Sequence, residues 1–215
     1  MGNLRVAFVF DLDGTLVDTV YQHVLAWRVA LETEGIELSV WRIHRKIGMS
    51  GGLFVNMLLR ETGLALAPER TERLRRMHAE AYLRMSRDVR PLPGARTLLG
   101  TLTDAGIPWA IATSGRMEVA RPALEMLGVD PTRTAVVTRD QVIRAKPDPD
   151  LFLAAAAKLG VDPAGTMVVG DSVWDLLAAQ RARALGLGLL SGGYGQDELE
   201  RAGAYRVYED PADLL

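Results

Sequence analysis

A run of five apolar residues, Val6 to Phe10, ends directly at two acidic residues, Asp11 and Asp13. Such a run is typical of a short strand buried on both faces of a parallel sheet, and the carboxyl end of that strand opens on the ligand crevice. Gly14 then allows the backbone to turn sharply. Because two converging carboxylates repel each other, the pattern favours a hard cation such as Mg²⁺, although Asp-x-Asp-Gly-Thr is also typical of turns and helix caps.

Composition narrows the class of protein. The chain has 215 residues, 48% of them hydrophobic, a formal net charge of −2 and no cysteine. This excludes disulfides and thiolate chemistry, and the scattered charges predict no nucleic-acid partner and no membrane surface. No segment has the length of a membrane span and no signal peptide is recognisable, so we expect a cytoplasmic protein.

The pattern of apolar residues changes near Pro91-Leu92-Pro93-Gly94. Before it, from about Thr19 to Ser86, apolar residues recur at helical spacing, which predicts a bundle of about four helices. After it, helical segments alternate with short apolar runs, which predicts a parallel sheet with crossover helices. The predicted strands are Trp109 to Ala112, Ala135 to Val137, Met167 to Val169 and Leu187 to Leu190.

The first strand, Arg5 to Phe10, has no partner near it in sequence, so we place it in the same sheet. The predicted fold class is α/β: a doubly wound, Rossmann-like parallel-sheet core with an inserted all-helical cap. The core comprises residues 1–16 and 89–215, and the cap comprises residues 17–88. A catalytic cleft is expected between them.

Polar residues follow the other predicted strands in the same way. Thr113-Ser114-Gly115 follows the second strand, Lys146 lies in the connection after the third, and Asp171 and Asp175 follow the fourth. Each alone is typical of a helix cap or a solvated charge. Because the carboxyl ends of parallel strands converge on one crevice, their joint placement indicates a reactive site.

These motifs resemble the four signatures of the haloacid dehalogenase-like superfamily in order and register. The matching residues are Asp11-x-Asp13-Gly14-Thr15, Thr113, Lys146 and Gly170-Asp171-x-x-x-Asp175. The helical insertion resembles the cap of the phosphoglycolate phosphatase and β-phosphoglucomutase group, with Asp18, His23, Trp27 and the Gly48-Met49-Ser50-Gly51 loop as shared features. The resemblance implies phosphoryl transfer through an aspartyl-phosphate with Mg²⁺.

The resemblance also implies roles for the acidic residues. Asp11 would be the nucleophile, and Asp13 would protonate the leaving alkoxide and then take a proton from water. Mg²⁺ would be held by Asp11, the backbone carbonyl of Asp13, and Asp171. Asp175 would not bind the metal directly but would orient the metal-bound waters by accepting hydrogen bonds from them.

A second set of residues would meet the phosphate. Thr113 and Lys146 are expected to stabilise the transferring group, because charge on that group is the main thing a protein can compensate. The expected substrate and phosphate contacts are Ser114, Gly115, His23 and Arg116. Packing of the first cap helix and a hinge contact is the alternative explanation for His23 and Trp27.

Three positions favour a phosphatase over its relatives. Asp13 favours phosphate esters over halides and phosphonates, while Gly51 and Gly170 stand where a mutase of this group has Arg and Glu. Without that Arg the far phosphate of a bisphosphate loses a bidentate clamp. The sequence therefore predicts a Mg²⁺-dependent, phosphoglycolate phosphatase-like enzyme for a small phosphorylated metabolite, monomeric or homodimeric. A β-phosphoglucomutase-like phosphotransferase and a non-catalytic phosphometabolite sensor are the alternatives.

Four cap residues carry weaker expectations. His44 and His78 have no partner at metal-ligand spacing, so we expect partly exposed helix residues. Arg45 and Lys46 are expected to be a solvated pair, with contact to an anionic leaving group as the alternative.

Overall fold

A six-stranded parallel sheet forms the centre of the described chain. The computed structural model describes residues 6–63 and 66–215. The strands are β1 Ala7–Phe10, β2 Trp109–Ala112, β3 Ala135–Val137, β4 Thr166–Gly170, β5 Leu185–Leu189 and β6 Ala204–Tyr208. Their order is β3-β2-β1-β4-β5-β6, and each neighbouring pair is parallel. The predicted α/β class is confirmed, and Arg5 of the predicted first strand lies outside the described residues.

Helices flank the sheet and fill the connection after its first strand. Within the described residues they are α1 Val20–Thr33, α2 Val40–His44, α3 Gly51–Thr62, α4 Pro68–Met85, α5 Ala95–Asp104, α6 Met117–Leu127, α7 Asp150–Leu159, α8 Val173–Ala182, α9 Gln196–Arg201 and α10 Pro211–Leu214. Helices α1 to α4 lie between β1 and β2 in the chain and form the predicted helical cap. The boundaries 17–88 for the cap and 1–16 with 89–215 for the core stay a prediction.

Strand β1 is buried on both faces, as its apolar run predicts. Phe10 packs in a cluster with residues of α5 and α6, such as Leu98 and Leu124. Val9 packs on the opposite face with residues of α7 and α8, such as Phe152. Because β1 pairs with both β2 and β4, the residues that follow these three strands lie side by side at one edge.

The cap has an apolar core of its own. Trp27 of α1 and Phe54 of α3 are nearly inaccessible, and their ring centroids are 4.1 Å apart. Ile43 of α2 and Leu74 of α4 complete the same cluster. The apolar spacing read from the sequence therefore reports real packing among the four cap helices.

The strand predictions differ in quality across the sheet. The bounds of β2 and β3 are confirmed, and β4 extends one residue beyond each end of the predicted strand. Strand β5 begins two residues earlier and ends one residue earlier than predicted. Sequence analysis predicts no strand at β6, an edge strand whose Tyr205 is 75% exposed, because a half-exposed strand lacks a clear apolar run. No described helix is long and apolar enough to cross a membrane.

Candidate active site

The carboxylate of Asp11 meets a buried ammonium group. The Asp11 backbone N–H donates to the Val169 carbonyl at 2.9 Å, which places this residue where β1 and β4 end. Lys146 Nζ is fully buried, donates to Asp11 Oδ1 and lies 2.7 Å from Asp175 Oδ1. Burial raises the pKa of Asp11 to about 7, with Lys146 acting in the opposite direction. Lys146 therefore favours the charged, nucleophilic form of Asp11.

Asp175 is fixed by the start of helix α8. One of its oxygens, Oδ2, accepts from the Ser172 backbone N–H at 3.1 Å and from the Ser172 hydroxyl at 2.5 Å. This is a capping box, which satisfies free N–H groups at the helix N-terminus. The other oxygen is left to face Lys146, so one side chain both caps α8 and orients the ammonium group.

Asp171 lies in a cradle of glycines. Its Oδ1 accepts from the Thr15 hydroxyl at 2.7 Å. A Cβ atom at position 14 would lie 2.5 Å from Asp171 Oδ2, and one at position 192 would lie 2.0 Å from it. Burial, followed by the charges of Asp175 and Asp11, raises the pKa of Asp171 well above its usual range. The carboxylate is thus held in a space that no side chain at Gly14 or Gly192 can share.

The buried acidic cluster fits a hard divalent cation. Oxygens of Asp11, Asp171 and Asp175 all lie within 4.8 Å of one another. Lys146 is the buried cation that faces this cluster, so three carboxylates meet one ammonium group. Carboxylate oxygens are the ligands that Mg²⁺ prefers, and the glycine cradle leaves Asp171 Oδ2 clear. The donor set and the excess of negative charge both suit Mg²⁺.

The side chain of Asp13 points away from that cluster. Its Oδ1 accepts from the Thr19 hydroxyl at 2.8 Å and lies 3.2 Å from His23 Nε2, and its Oδ2 accepts from Thr113 at 3.4 Å. Burial acts to raise the pKa of Asp13, but His23 and Thr19 together hold it below its usual value. In this arrangement Asp13 is a charged carboxylate with a histidine partner, ready to accept a proton.

The predicted phosphate-binding segment follows β2. The Gly115 backbone N–H donates to the Thr113 hydroxyl at 2.9 Å, and Ser114 Oγ donates to the Gly48 carbonyl of the cap at 2.8 Å. Arg116 lies farther out, more than half exposed, with guanidinium nitrogens 3.6 Å from Glu72 and 3.8 Å from Asp140. Ser114 therefore links the phosphate segment to the cap, while Arg116 belongs to an ion-pair network at the rim.

A cavity of about 770 Å³ lies between the cap and this edge of the sheet. Seven of the predicted site residues line it: Asp11, Asp13, His23, Thr113, Ser114, Gly115 and Arg116. The other three, Lys146, Asp171 and Asp175, lie behind Asp11 in the buried core. The structure thus places seven of the ten predicted residues on the cleft wall and three next to Asp11 in the core, while their roles stay predictions.

Two cationic residues of the cap differ from expectation. Lys46 is 7% exposed and its Nζ lies 2.6 Å from Glu61, so a buried lysine pairs with an exposed glutamate instead of being a solvated charge. Arg45 pairs with Glu198 of the core and lies over the Tyr194 ring at 4.3 Å. Sequence reasoning missed these partners because they are distant in the chain.

Arg75 of α4 is a cavity residue that sequence reasoning missed. A Cβ atom at position 51 would lie 3.4 Å from Arg75 Cγ, and the Arg75 guanidinium lies 3.2 Å from Glu72. The guanidinium itself lies 3.7 Å from a Cβ atom built at position 52, so Arg75 brings a cation from another helix to that part of the cleft. Arg75 and Gly51 are 24 positions apart, and no local pattern signals their contact.

Comparisons with known proteins agree with this geometry. Residues 6–183 match the profile of the haloacid dehalogenase-like hydrolases. The crystal structure of a hydrolase from Pseudomonas syringae is 56% identical with a TM-score of 0.96, covering 97% of this chain and 95% of that one. Hexitol phosphatase A of Escherichia coli (strain K12) is 36% identical over 81% of this chain and 78% of its own length. A phosphoglycolate phosphatase of Caulobacter vibrioides is 31% identical over 95% of this chain and 87% of its own.

The chain belongs to the haloacid dehalogenase-like hydrolase family. The structure of β-phosphoglucomutase from Clostridium difficile shares the fold, with 24% identity and a TM-score of 0.84. The resemblance read from the sequence motifs is confirmed, as is the prediction of a phosphatase enzyme of this family.

Proposed function

We propose that this enzyme is a Mg²⁺-dependent phosphatase that hydrolyses small phosphate monoesters through an aspartyl-phosphate. One observation carries the proposal: Asp11 faces the cavity, is held by buried Lys146 and lies next to a cluster of carboxylates. A carboxylate in that position is a nucleophile with its charge compensated from behind. Asp13, two residues on, supplies the acid–base group that a two-step transfer needs.

The chemistry divides into two displacements. An Asp11 oxygen attacks phosphorus, the bond from phosphorus to the ester oxygen breaks, and Asp13 gives that oxygen a proton. Water then attacks the same phosphorus, Asp13 takes its proton, and the Asp11 carboxylate and inorganic phosphate are released. Asp13 must be protonated for the first step, and an arriving phosphate dianion favours this because nearby negative charge raises the pKa of a carboxyl group.

Mg²⁺ would be held by Asp11, Asp171 and the backbone carbonyl of Asp13, with Asp175 behind them. When bound, the cation supplies positive charge that offsets the charge of the transferring group. The amides of Ser114 and Gly115, with Thr113, would donate to the phosphate oxygens, and the Gly115 amide would exchange its bond to the Thr113 hydroxyl for one to the phosphate.

The substrate is proposed to be a small phosphorylated metabolite, such as phosphoglycolate, that fits a cavity of about 770 Å³. Relatives named phosphoglycolate phosphatase and hexitol phosphatase support this size class. The Arg75 guanidinium at the cap side of the cleft favours a substrate with a second anionic group. A cytoplasmic location and a monomeric or homodimeric state stay predictions.

A panel of phosphate esters tests the proposal. Phosphoglycolate, hexitol phosphates, N-acetylmuramic acid 6-phosphate and nucleotides are incubated with enzyme and Mg²⁺, and released phosphate is measured. We expect turnover of at least one small monoester, lost on chelation of Mg²⁺ and reduced roughly 10³-fold or more in Asp11→Asn. The exposed Asp88→Asn serves as the matched control. Near wild-type turnover in Asp11→Asn would exclude the covalent route.

One observation favours a second candidate, a phosphotransferase acting on sugar phosphates. Arg75 has its guanidinium next to Gly52, one residue after Gly51, so the cleft retains a cation that a second phosphate could meet. The non-catalytic sensor has less support, because binding alone requires neither a buried Lys146–Asp11 pair nor a second carboxylate at Asp13.

A further inference from the structure

A hydrogen-bonded row of three side chains runs from the acid–base carboxylate into the cap. His23 of α1 has its Nε2 3.2 Å from Asp13 Oδ1 and its Nδ1 3.1 Å from Nε2 of His78. His78 belongs to α4, the last helix of the cap, and lines the cavity. The row thus joins the core, the first cap helix and the last one.

Aromatic neighbours fix the planes of both imidazoles. The His23 ring stacks on Tyr82 with centroids 3.9 Å apart and planes within 2° of parallel. The His78 ring stacks on Trp27 at 4.2 Å and 15°. Tyr82 and Trp27 are 1% and 4% exposed, so these contacts are packed on their outer sides as well.

Stacking alone does not determine which edge of His23 faces Asp13. An imidazole turned over by 180° keeps the same plane and the same stacked area, but it exchanges its nitrogen and carbon positions. Only polar contacts distinguish the two orientations. Two contacts do so: Asp13 Oδ1 faces His23 Nε2, and within the described residues His78 is the hydrogen-bond partner of His23 Nδ1, so His78 adds a second contact that a turned ring would lose.

Hydrogen-bond chemistry supports the same assignment. Asp13 Oδ1 lies 3.2 Å from His23 Nε2 and can accept from it, which leaves His23 Nδ1 for His78. Burial, followed by the charge of His23, lowers the pKa of His78 well below its usual value and keeps that ring neutral. A neutral ring has one donor and one acceptor nitrogen. His78 Nε2 can therefore donate to His23 Nδ1 when Nδ1 carries no proton, and accept from it when it does.

We propose that His78 is a positioning residue for Asp13: it orients the His23 ring so that Nε2 faces the Asp13 carboxylate. The proposal depends on the proposed function, in which Asp13 is the acid–base group. It predicts that a change at His78 alters the chemical step rather than substrate binding.

Two isosteric variants separate a positioning role from simple packing. In His78→Gln the end of the side chain reaches the place of Nε2, whereas in His78→Asn it reaches only the place of Nδ1. We expect His78→Asn to lower kcat by roughly 10- to 100-fold, the usual cost of losing an outer hydrogen-bond partner, with KM changed by no more than about twofold. His78→Gln is expected to retain kcat within about threefold of wild type.

Nitrogen NMR of the imidazoles gives a readout that packing does not move. The chain has three histidines, so long-range proton–nitrogen spectra can be assigned with His44→Gln and the His78 variants. In wild type and His78→Gln we expect His23 to show a single orientation with protonated Nε2. In His78→Asn we expect exchange-broadened nitrogen resonances of His23, because a ring that turns over moves Nε2 out of contact with Asp13.

Equal kcat in wild type and His78→Asn, or an equal loss in the Gln and Asn variants, would overturn the proposal, as would unchanged His23 spectra in His78→Asn. Thermal unfolding of each variant shows whether the fold is kept. If His78→Asn does not fold, His78→Phe, which preserves the stack on Trp27, replaces it. The spectra need no substrate, so a wild type that releases no phosphate would refute the proposed function while the orientation of His23 is still tested.

Discussion

Gly170 has no room for a side chain, because a Cβ atom there would lie 2.3 Å from Asp175 Cβ. Asp175 cannot move away without losing its bonds to Ser172 and its contact with Lys146. The observed conformation of Asp175 therefore requires glycine at position 170. A Glu at position 170, as in the related mutases, is incompatible with this Asp175 arrangement.

Gly170→Ala should destabilise the enzyme and impair the site together. The added methyl group must displace the Asp175 side chain, and overpacking of this kind costs about 1–3 kcal/mol in free energy of unfolding. We expect a lower urea midpoint and a lower kcat, measured on the same preparation. Gly100→Ala is the control: position 100 lies in helix α5 with open space around it, so Ala there should be neutral or stabilise by up to ~1 kcal/mol. A stable, fully active Gly170→Ala would contradict that requirement.

The Mg²⁺ requirement should depend on the glycine cradle as well as on the carboxylates. In Gly192→Ala the added Cβ atom would lie 2.0 Å from Asp171 Oδ2 and must displace that carboxylate. The variant should therefore need a higher Mg²⁺ concentration for half-maximal activity, even though no ligand is removed. Asp171→Ala should raise it more, and Asp175→Ala less than Asp171→Ala, since direct ligands matter more than residues behind them. Mg²⁺ titrations of phosphate release measure the order. Identical curves for wild type and Asp171→Ala would remove that residue from the metal site.

The strand ends could be predicted from sequence because each signal is local. Val9 and Phe10 show burial on both faces of β1, and Asp11 follows at once, so fold and chemistry share one short segment. Thr113 and Asp171 were located by the same logic, applied to β2 and β4. In a parallel sheet the residues that follow the strands share one edge. The alternation of helices and strands in the sequence already indicates that the strands are parallel.

Contacts between distant segments could not be predicted in this way. Arg75 meets Gly51, and His78 meets His23, only after the cap helices pack against one another. Gly192 follows the last buried strand, and nothing near it in sequence shows that Asp171 occupies its side-chain space. Such partners depend on tertiary packing, and periodicity carries no information about them.

Cap stability should depend on acid pH through Glu34. Hydrogen bonds from Arg73 and Arg70 lower the pKa of Glu34 from 4.5 to about 2 in the folded protein. A depressed folded-state pKa gives stability that is fully present above the unfolded value and is lost as pH falls towards 2. Glu34→Gln should therefore be less stable than wild type at pH 7, and the difference should shrink below about pH 4.5.

Urea unfolding at pH 7, 5, 4 and 3 measures that difference. Glu32→Gln is the control, because Glu32 forms an exposed i,i+4 pair with Arg28 on the same helix. A gap between Glu34→Gln and wild type that stays constant from pH 7 to pH 3 would show that the two arginines do not hold Glu34 charged.

Arg75 should affect substrate choice rather than the chemical step. Arg75→Ala should lower kcat/KM roughly tenfold for esters with a second anionic group, such as phosphoglycolate, since one charge-assisted hydrogen bond contributes about 1.5 kcal/mol. Turnover of p-nitrophenyl phosphate, which lacks that group, should be unchanged. Arg84→Ala is the control, because Arg84 is exposed and lies at the C-terminal end of α4. An equal loss of kcat/KM on both substrates would show that Arg75 does not bind the second anionic group.

Phosphatase and mutase chemistry should differ in the fate of the phosphoryl group. Gly51 offers no guanidinium of its own, and Arg75 shares its charge with Glu72, which suffices for the single charge of a carboxylate but not for a doubly charged far phosphate. A bisphosphate should therefore be held too weakly to be retained, and the aspartyl-phosphate should pass to water. We expect net phosphate release from β-glucose 1-phosphate without isomerisation. Phosphorus NMR of enzyme, Mg²⁺, this ester and a catalytic amount of the 1,6-bisphosphate follows both products. Glucose 6-phosphate accumulating faster than free phosphate would reject the phosphatase assignment and favour the phosphotransferase, and Arg75→Ala would then be expected to abolish the isomerisation while leaving slow hydrolysis.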